Sequence, residues 1–246
     1  LIKINPSLSK ILSSLQRIRS AMVIVNELNY EIKKFNRIEK NANIDFDFNE
    51  DINVKNLKFS YEKKIILDNI NFNVRSNSIF GIKGKSGSGK TTLLNLIIGF
   101  LNPEEGNIKI GKKLILENVK KWQESISYVP QKIFLIDDSL KKNIAFEYKD
   151  EKIDYQKLAK SVEIAQLKEH FGKNLDLNTM VGETGKRISA GQIQRIGIAR
   201  ALFKDPKILI FDEATSALDK ETENKIMEDI LKLKKQGLTI FIVSHD

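Results

Sequence analysis

The glycine-rich segment GKSGSGKT, at residues 84–91, has the residue types and the spacing of a loop that binds phosphate. It follows the apolar run 79–82 and precedes a second apolar stretch, 93–98. A strand, a glycine-rich loop and a helix in this order let backbone N–H groups and the positive end of the helix surround phosphate oxygens. Lys90 is then expected to contact the β- and γ-phosphates, and the Thr91 hydroxyl to bind Mg²⁺. The segment therefore predicts a nucleoside triphosphate site rather than an ordinary Gly/Ser turn.

Two adjacent carboxylates, Asp212 and Glu213, directly follow the apolar run 208–211. This run predicts a buried strand that presents both acids at its carboxyl end. Downstream of a phosphate-binding loop, Asp212 is placed to hold Mg²⁺ through its water shell. Glu213 can orient and deprotonate the attacking water, a role worth about 10²–10⁴-fold in rate. Alone, an apolar strand that ends in two acids is common, and the upstream loop is what favours the catalytic interpretation.

Two polar residues and one aromatic residue are further candidates for the same site. Gln131 follows the predicted strand 126–129, and His245 follows the predicted strand 239–243. Because ligands of open α/β sheets bind at the carboxyl ends of the strands, both side chains are expected near the metal or the attacking water. Tyr61 offers a ring face for adenine, and an edge-strand aromatic without a ligand is the alternative interpretation.

The composition is that of an ordinary globular protein. The chain has 246 residues, of which 41% are hydrophobic and 30% charged, which fits one large α/β domain with an appendage. It has no cysteine, which excludes disulfides and cysteine-based metal sites. The net charge of +9 raises nucleic-acid or anionic-membrane binding as a hypothesis, but the lysines are scattered, and no nucleic-acid partner is expected.

The first segment, residues 1–30, predicts a long amphipathic helix. Its apolar residues recur at spacings of three and four: Leu8, Ile11, Leu12, Leu15, Ile18, Met22, Val25 and Leu28. Such a helix either packs on its own domain or forms the cytoplasmic end of a transmembrane helix. Residues 31–49 lose the pattern and are interpreted as a linker. Because Leu1 is not Met and a core strand ends the chain, we expect a piece of a longer protein.

From residue 51 onward the pattern predicts an α/β fold. Residues 52–61 and 70–74 alternate polar and apolar, with one slip that suggests a bulge, and with 108–110 they predict a small antiparallel sheet. Helices are expected from Ser139, from Asp154 to about His170, and from the N-cap Ser189. The buried strands around them, and the helix expected after Asp219, predict a mostly parallel sheet covered by helices.

Over roughly residues 50–246 these motifs resemble the nucleotide-binding domain of an ABC transporter. The matching motifs are the Walker A loop 84–91, the Q-loop Gln131, the signature 188–192, the Walker B acids Asp212 and Glu213, the D-loop 216–219 and the switch residue His245. The stretch ISAGQ resembles the signature LSGGQ. The resemblance implies a P-loop NTPase with a RecA-like sheet, an antiparallel β subdomain and a helical subdomain at about 132–190. It also implies that the nucleotide-binding domain, at 50–246, is truncated at its C-terminus.

The resemblance also implies ATP and Mg²⁺ as ligands and assigns their contacts. ATP contacts are implied for Tyr61, Lys85, Ser86, Gly87, Ser88, Gly89, Lys90, Thr91 and Thr92. The implied Mg²⁺ contacts are Thr91, Gln131 and Asp212, and the implied catalytic residues are Glu213, Gln131 and His245. Contacts with the ATP of a second subunit are implied for Ser189, Ala190, Gly191, Gln192 and Asp219. Ala190 replaces the first glycine of the signature, which should be tolerated only if its φ is negative.

Two further segments resemble exporters in particular. Residues 181–185 are similar to the exporter X-loop, and the N-terminal amphipathic helix is similar to the extension of an exporter's last transmembrane helix. Residues 6–16 look most like bacterial flippases of lipid-linked oligosaccharides. The expectation is an ATPase motor at the cytoplasmic face of a bacterial inner membrane, which exports or flips a lipid-linked or other amphiphilic substrate. Its expected partners are a transmembrane domain of the same chain and a second ABC domain, in a head-to-tail homodimer.

Non-transport ABC ATPases, of the DNA-repair or translation type, are the alternative. The DNA-repair type places a long coiled coil between the two halves of the nucleotide site, and none interrupts this chain between Thr91 and Ser189. The translation type carries two such domains. A GTPase is disfavoured, because residues 224–227 lack the aspartate of an Asn-Lys-x-Asp guanine motif.

Overall fold

The computed structural model describes residues 4–38, 44–147, 149–172, 174–182, 188–214, 220–234 and 237–244. These residues belong to two compact units, the first ending at Asn43 and the second beginning at Ile44. The second unit thus begins earlier than residue 50, the boundary that the sequence suggests. Predicted site residues Asp219 and His245, and most of the predicted X-loop, lie outside the described residues.

The described residues of the first unit form one helix, α1 (Ile4–Ile38). It includes residues 31–38, which the sequence assigned to the linker. Glutamate and lysine in that stretch are good helix formers, so the apolar periodicity ends there while the helix continues. Between residues 10 and 29, where the side chains of α1 are described, the large apolar ones are exposed, Ile11 and Leu28 each at 57%. In the part of the chain that the structure describes, no helix is both long and apolar enough to cross a membrane.

The second unit is built from short strands and helices. Its strands are β1 (Ile52–Tyr61), β2 (Lys64–Val74), β3 (Ile79–Lys83), β4 (Glu105–Ile110), β5 (Lys113–Leu114), β6 (Ile126–Val129), β7 (Asp138–Ser139), β8 (Met180–Val181), β9 (Ile208–Asp212) and β10 (Thr239–Ser244). Its α-helices are α2 (Lys90–Ile98), α3 (Val119–Glu124), α4 (Leu140–Ala145), α5 (Tyr155–Ile164), α6 (Leu167–Phe171), α7 (Ala190–Phe203) and α8 (Lys220–Lys234). Two 3₁₀ turns occupy Ile115–Asn118 and Asp150–Lys152.

The antiparallel sheet has the strand order β2-β1-β4-β5. Ile52 in β1 lies opposite Val74 in β2 and Ile110 in β4, and all three side chains are buried. The register between β1 and β2 shifts after Val54, where Asn56 has a φ of 48°. Asparagine tolerates this left-handed conformation better than most residues. The predicted bulge in the first strand is thereby confirmed.

The parallel sheet has the strand order β3-β10-β9-β6, and each neighbouring pair is parallel. In β9, residues 208–211 are all buried, as expected when helices cover both faces of a parallel sheet. Ser244 lies beside Lys83, Val243 beside Asp212, and Phe211 beside Val129. The carboxyl ends of four strands therefore meet at one edge, and the predicted α/β class is confirmed.

An aromatic cluster joins the start of the second unit to α3. Trp122 is fully buried, and its indole N–H donates to the Ile97 carbonyl oxygen at 2.7 Å. Phe48 stacks on the Trp122 ring at 6.1 Å between centroids, and Phe46 meets the same ring edge-on at 5.6 Å. Residues ahead of β1 are thus part of the core.

The helix predicted from Asp154 to about His170 is wrong in one respect, because the structure contains two helices there. The first of them starts where the sequence predicted, and the Asp154 side chain caps it, accepting from the Gln156 and Lys157 N–H groups. Gln166 then takes a φ of 54°, which ends α5 and redirects the chain into α6. The Ala165 carbonyl, freed from the helix at this break, accepts from Arg195 Nη1 at 3.2 Å.

A buried ion pair ties α7 to α8. Arg195 is 1% exposed, and its Nη1 lies 2.8 Å from Oδ2 of Asp229, which is 10% exposed. Asp229 also accepts from the Gln166 side-chain amide and from Lys232 Nζ. Since a charge removed from water is costly without a partner, each member of the pair depends on the other.

We expect Asp229→Asn to lower the free energy of unfolding by about 3 kcal/mol or more, because Arg195 would stay buried and charged without its carboxylate. Denaturant unfolding monitored by circular dichroism measures this loss. The matched control is Glu221→Gln, which breaks the exposed Lys225–Glu221 pair on the same helix. That change should cost about 0.5 kcal/mol or less. Equal losses in the two variants would contradict the role of burial.

Candidate nucleotide-binding site

The glycine-rich loop connects β3 to α2 and requires glycine at two positions. Gly87 has a φ of 77° and Gly89 a φ of 90°, in the left-handed region that favours glycine. A Cβ at Gly89 would also lie 3.0 Å from the Leu67 side chain and 3.1 Å from that of Ile66. The loop therefore holds its backbone N–H groups at the start of α2, as a phosphate-binding loop does.

Lys90 is the buried cation of the site. Its side chain is 8% exposed, and its Nζ donates to the carbonyl oxygens of Gly84 at 2.8 Å and Lys85 at 3.2 Å. The same ammonium lies 3.5 Å from Oε1 of Glu213, whose side chain is 14% exposed. The structure thus brings together the lysine and the second carboxylate that the sequence predicted.

A cleft of about 450 Å³ opens in front of the loop. It is lined by Ile66, Ser86, Gly87, Gly89, Lys90, Thr91, Thr92, Gln131 and Glu213. Its volume lies within the usual range of small-molecule sites. Three separate motifs predicted from sequence, the loop, Gln131 and Glu213, therefore share one cavity.

The two carboxylates differ in backbone conformation and in their partners. Asp212 ends β9 in regular strand geometry, whereas Glu213 has a φ of 50°. The Glu213 N–H donates to the Val243 carbonyl oxygen at 3.1 Å, which fixes this left-handed residue to the neighbouring strand. The turn directs Glu213 toward Lys90 and leaves Asp212 beside β6. Strained backbone of this kind is common at functional sites.

Tyr128 is a site residue that sequence reasoning missed. Its hydroxyl donates a hydrogen bond to Oδ2 of Asp212. Burial, the hydrogen bond to Asp212 and the charges of both carboxylates raise the pKa of Tyr128, so the phenol stays a neutral donor. The signal in the sequence was a tyrosine near the end of a predicted core strand, but only the parallel register of β6 and β9 shows that it reaches Asp212.

The residues at this edge fit Mg²⁺. Thr91, Gln131 and Asp212 offer hydroxyl, amide and carboxylate oxygens, which are the hard donors that this ion prefers. The first two line the cleft, and Asp212 precedes the lining residue Glu213. Among the described residues there is no group of three or more His, Cys, Asp or Glu side chains that could hold a metal. Water and the oxygens of a bound phosphate would complete the coordination of the ion.

Three predicted nucleotide contacts, Tyr61, Lys85 and Ser88, are not among the residues that line the cleft. Tyr61 ends β1, is 48% exposed, and meets the Phe59 ring edge-on at 5.0 Å between centroids. Lys85 and Ser88 belong to the loop, where the Ser88 N–H donates to the Lys85 carbonyl oxygen at 3.1 Å. In the structure, Lys85 and Ser88 stabilise the turn of the loop, and Tyr61 packs on Phe59.

The signature residues form the N-terminus of α7. The Ser189 hydroxyl accepts from the Gln192 N–H at 3.2 Å, and the Gln192 side chain accepts from the Ser189 N–H at 2.9 Å, so the predicted N-cap is confirmed. The Gln192 amide also donates to the His170 carbonyl oxygen at 2.8 Å. Ala190 is the first residue of the helix and has no positive φ, so its methyl group adds no backbone strain.

No signature residue lines the cleft in the described part of the chain. Gln192 and Ile188 instead line a separate cavity of about 370 Å³ with residues of α6 and of the segment before β8. The loop and the signature of one chain therefore line separate cavities.

Comparisons with known proteins agree with this arrangement. The family model "ABC transporter" matches residues 67–216. The chain is 42% identical over 203 residues to the alpha-hemolysin translocation ATP-binding protein HlyB of Proteus vulgaris, covering 81% of this chain and 28% of that protein. It is also 42% identical over 203 residues to the leukotoxin translocation ATP-binding protein LktB of Mannheimia haemolytica, covering 79% of this chain and 28% of that protein.

A solved structure of a bacterial Atm1-family ABC exporter with ATP bound matches with a TM-score of 0.71 and 30% identity. This match covers 85% of the chain and 36% of the exporter chain. The chain thus spans just over a quarter of the length of the curated relatives, at 28%. Since the family model covers more than half of the chain and the loop, cleft and sheet match its expected architecture, the chain belongs to the ABC transporter family.

Proposed function

We propose that this chain is the motor domain of an exporter, which binds and hydrolyses ATP to drive transport across a membrane. The observation that carries the proposal is the single cleft in which Lys90, Gln131 and Glu213 meet at the carboxyl edge of the parallel sheet. The relatives HlyB and LktB and the Atm1-family exporter support export rather than the DNA-repair or translation type of ABC ATPase.

Within the cleft, each residue has a task that follows from its position. The loop N–H groups and Lys90 bind and orient the β- and γ-phosphates. Thr91, Gln131 and Asp212 would hold Mg²⁺, which neutralises charge on the phosphates when it is bound. Glu213 accepts a proton from the water that attacks the γ-phosphate. Lys90 Nζ lies 3.5 Å from Oε1 of Glu213, so the phosphate-binding ammonium and the proposed base face the same part of the cleft.

A second ABC domain completes the site in this proposal. The helix N-terminus at Ser189, together with Ala190, Gly191 and Gln192, would contact the ATP held by a second copy, as would Asp219. The separation of these residues from the cleft of their own chain supports such a head-to-tail arrangement. His245 would act in the same site as a catalytic residue. Closure of two copies on ATP and their reopening after hydrolysis would supply the mechanical step.

The first unit supports attachment to a membrane domain. The exposed apolar side chains of α1 need a partner, and the curated relatives extend far beyond the matched part. We place α1 as an extension of a transmembrane domain of the same protein, and we place the start of the nucleotide-binding domain at Ile44 rather than at residue 50. The assembly would lie at the cytoplasmic face of the bacterial inner membrane.

Two substrate classes remain as candidates. Residues 6–16 favour a lipid-linked or other amphiphilic substrate, which would be flipped across the membrane. HlyB and LktB, whose names concern the translocation of alpha-hemolysin and leukotoxin, favour a polypeptide instead. Stimulation of ATP hydrolysis in the membrane-embedded protein by a lipid-linked oligosaccharide or by a polypeptide would distinguish these classes.

We expect Glu213→Gln to bind ATP with Mg²⁺ at close to the wild-type affinity and to slow hydrolysis by about 10²–10⁴-fold, because the amide cannot accept the proton. Phosphate release measures the rate, and calorimetry measures the affinity. Glu163→Gln, an exposed position on α5, is the control and should hydrolyse ATP normally. Phosphate release by Glu213→Gln at the wild-type rate would remove Glu213 as the base.

Lys90→Ala should weaken ATP binding by at least about tenfold, because it deletes a charge-assisted contact to the phosphates. Isothermal titration calorimetry with Lys112→Ala, which changes an exposed lysine in the turn between β4 and β5, provides the comparison. Unchanged affinity in Lys90→Ala would count against the loop as the phosphate site.

Tyr61→Ala should weaken ATP by about tenfold and leave inorganic triphosphate nearly unaffected, because only ATP carries a base to stack on the ring. Competition binding with both ligands measures the difference, with Tyr155→Ala as the control at another exposed tyrosine. Equal losses for the two ligands would show that Tyr61 does not contact adenine.

A further inference from the structure

The Tyr128 hydroxyl reaches Asp212 along the edge strand of the parallel sheet. β6 pairs with β9 so that Tyr128 lies opposite Ile210 and Val129 opposite Phe211. Asp212 is the next residue of β9, just beyond the last pair, and its Oδ2 accepts from the Tyr128 hydroxyl. The tyrosine ring therefore extends toward the carboxyl end of the sheet, where the cleft opens.

The position of Tyr128 in its strand supports a role at this edge rather than in the core. Its neighbours Ser127 and Val129 are almost fully buried, at 3% and 0% exposure, whereas Tyr128 is 41% exposed. A partly exposed ring contributes less packing energy than a buried one. Packing alone therefore does not account for a tyrosine at this position, and the hydrogen bond from its hydroxyl to Asp212 is its main specific contact.

A carboxylate at the end of a strand has a freely rotating terminal torsion, which is broad in its energy profile. A hydrogen bond from the Tyr128 hydroxyl to Oδ2 restricts that rotation and does not involve the other oxygen, Oδ1. Groups that hold a metal ligand in this way affect metal affinity even though they do not contact the metal. A phenol suits this task, because it orients the carboxylate without adding a positive charge that would repel a cation.

We propose that Tyr128 is a positioning residue, which holds the Asp212 carboxylate in the orientation that binds hydrated Mg²⁺ at the nucleotide site. The inference rests on the proposed function, since it concerns the metal ligand of the same cleft. It gives the chain a contact to the metal site from β6, the strand that also leads to Gln131. In this proposal the end of β6 affects the metal in two ways, through Gln131 as a ligand and through the hydrogen bond of Tyr128 to Asp212.

The test replaces the hydroxyl alone, in Tyr128→Phe. Mn²⁺ serves as the probe for Mg²⁺, and electron paramagnetic resonance of the free ion measures its binding in the presence of a non-hydrolysable ATP analogue. We expect the Mn²⁺ dissociation constant to rise about tenfold. Binding of the analogue with EDTA present should not change, because the loop and Lys90 are intact. Tyr155→Phe makes the same chemical change at an exposed tyrosine of α5 and should leave both measurements unaltered.

Asp212→Asn separates this inference from the proposed function. The single change should itself weaken Mn²⁺ binding, and adding Tyr128→Phe to it should cause no further loss, because the two residues act through one contact. If Asp212→Asn leaves Mn²⁺ affinity unchanged, both the proposed metal site and the role of Tyr128 are wrong.

If Asp212→Asn weakens binding while Tyr128→Phe does not, or tightens it, the metal site stands and the positioning role is overturned. Thermal unfolding of each variant accompanies the titration. A drop in melting temperature for Tyr128→Phe with unchanged Mn²⁺ affinity would mark the contact as structural only and would likewise overturn the proposal.

Discussion

The parallel register of four strands is the constraint on which the site depends. Because β3, β10, β9 and β6 run in the same direction, their carboxyl ends lie at one edge, and every segment that follows them leaves from that edge. The glycine-rich loop, the two carboxylates and Gln131 are far apart in sequence and become neighbours only through this register. Strand pairing therefore determines which residues meet at the site, because the loops that follow the strands all begin at this edge.

Within that edge, two adjacent acids are separated by one backbone rotation. Asp212 keeps strand geometry and contacts Tyr128, whereas Glu213 turns into the left-handed region and faces Lys90. Glu213 leaves strand geometry at this point, so its side chain does not follow the regular alternation of β9. The conformation at Glu213 gives the two carboxylates different partners and hence different tasks in the proposed mechanism.

The sequence predicted features whose signals are local. The strand–loop–helix context of residues 84–91, the helix start at Asp154, the N-cap at Ser189 and the bulge in β1 all depend on residues close together in the chain. The break at Gln166 could not be predicted, because it is stabilised by the distant Arg195. The contact of Tyr128 with Asp212 was missed because a hydrogen bond between two strands leaves no periodic pattern in the sequence. The C-terminal part of α1 was missed because its residues favour a helix without forming an apolar face.

The aromatic cluster at Trp122 has a consequence for where the catalytic unit can be separated from its surroundings. Phe46 and Phe48 cover a tryptophan that contacts the last turn of the helix after the glycine-rich loop. A cut at residue 50, where the alternating pattern begins, would expose that indole to water and loosen the helix on which the phosphate-binding loop rests. A recombinant fragment intended to keep its nucleotide affinity should therefore begin no later than Ile44.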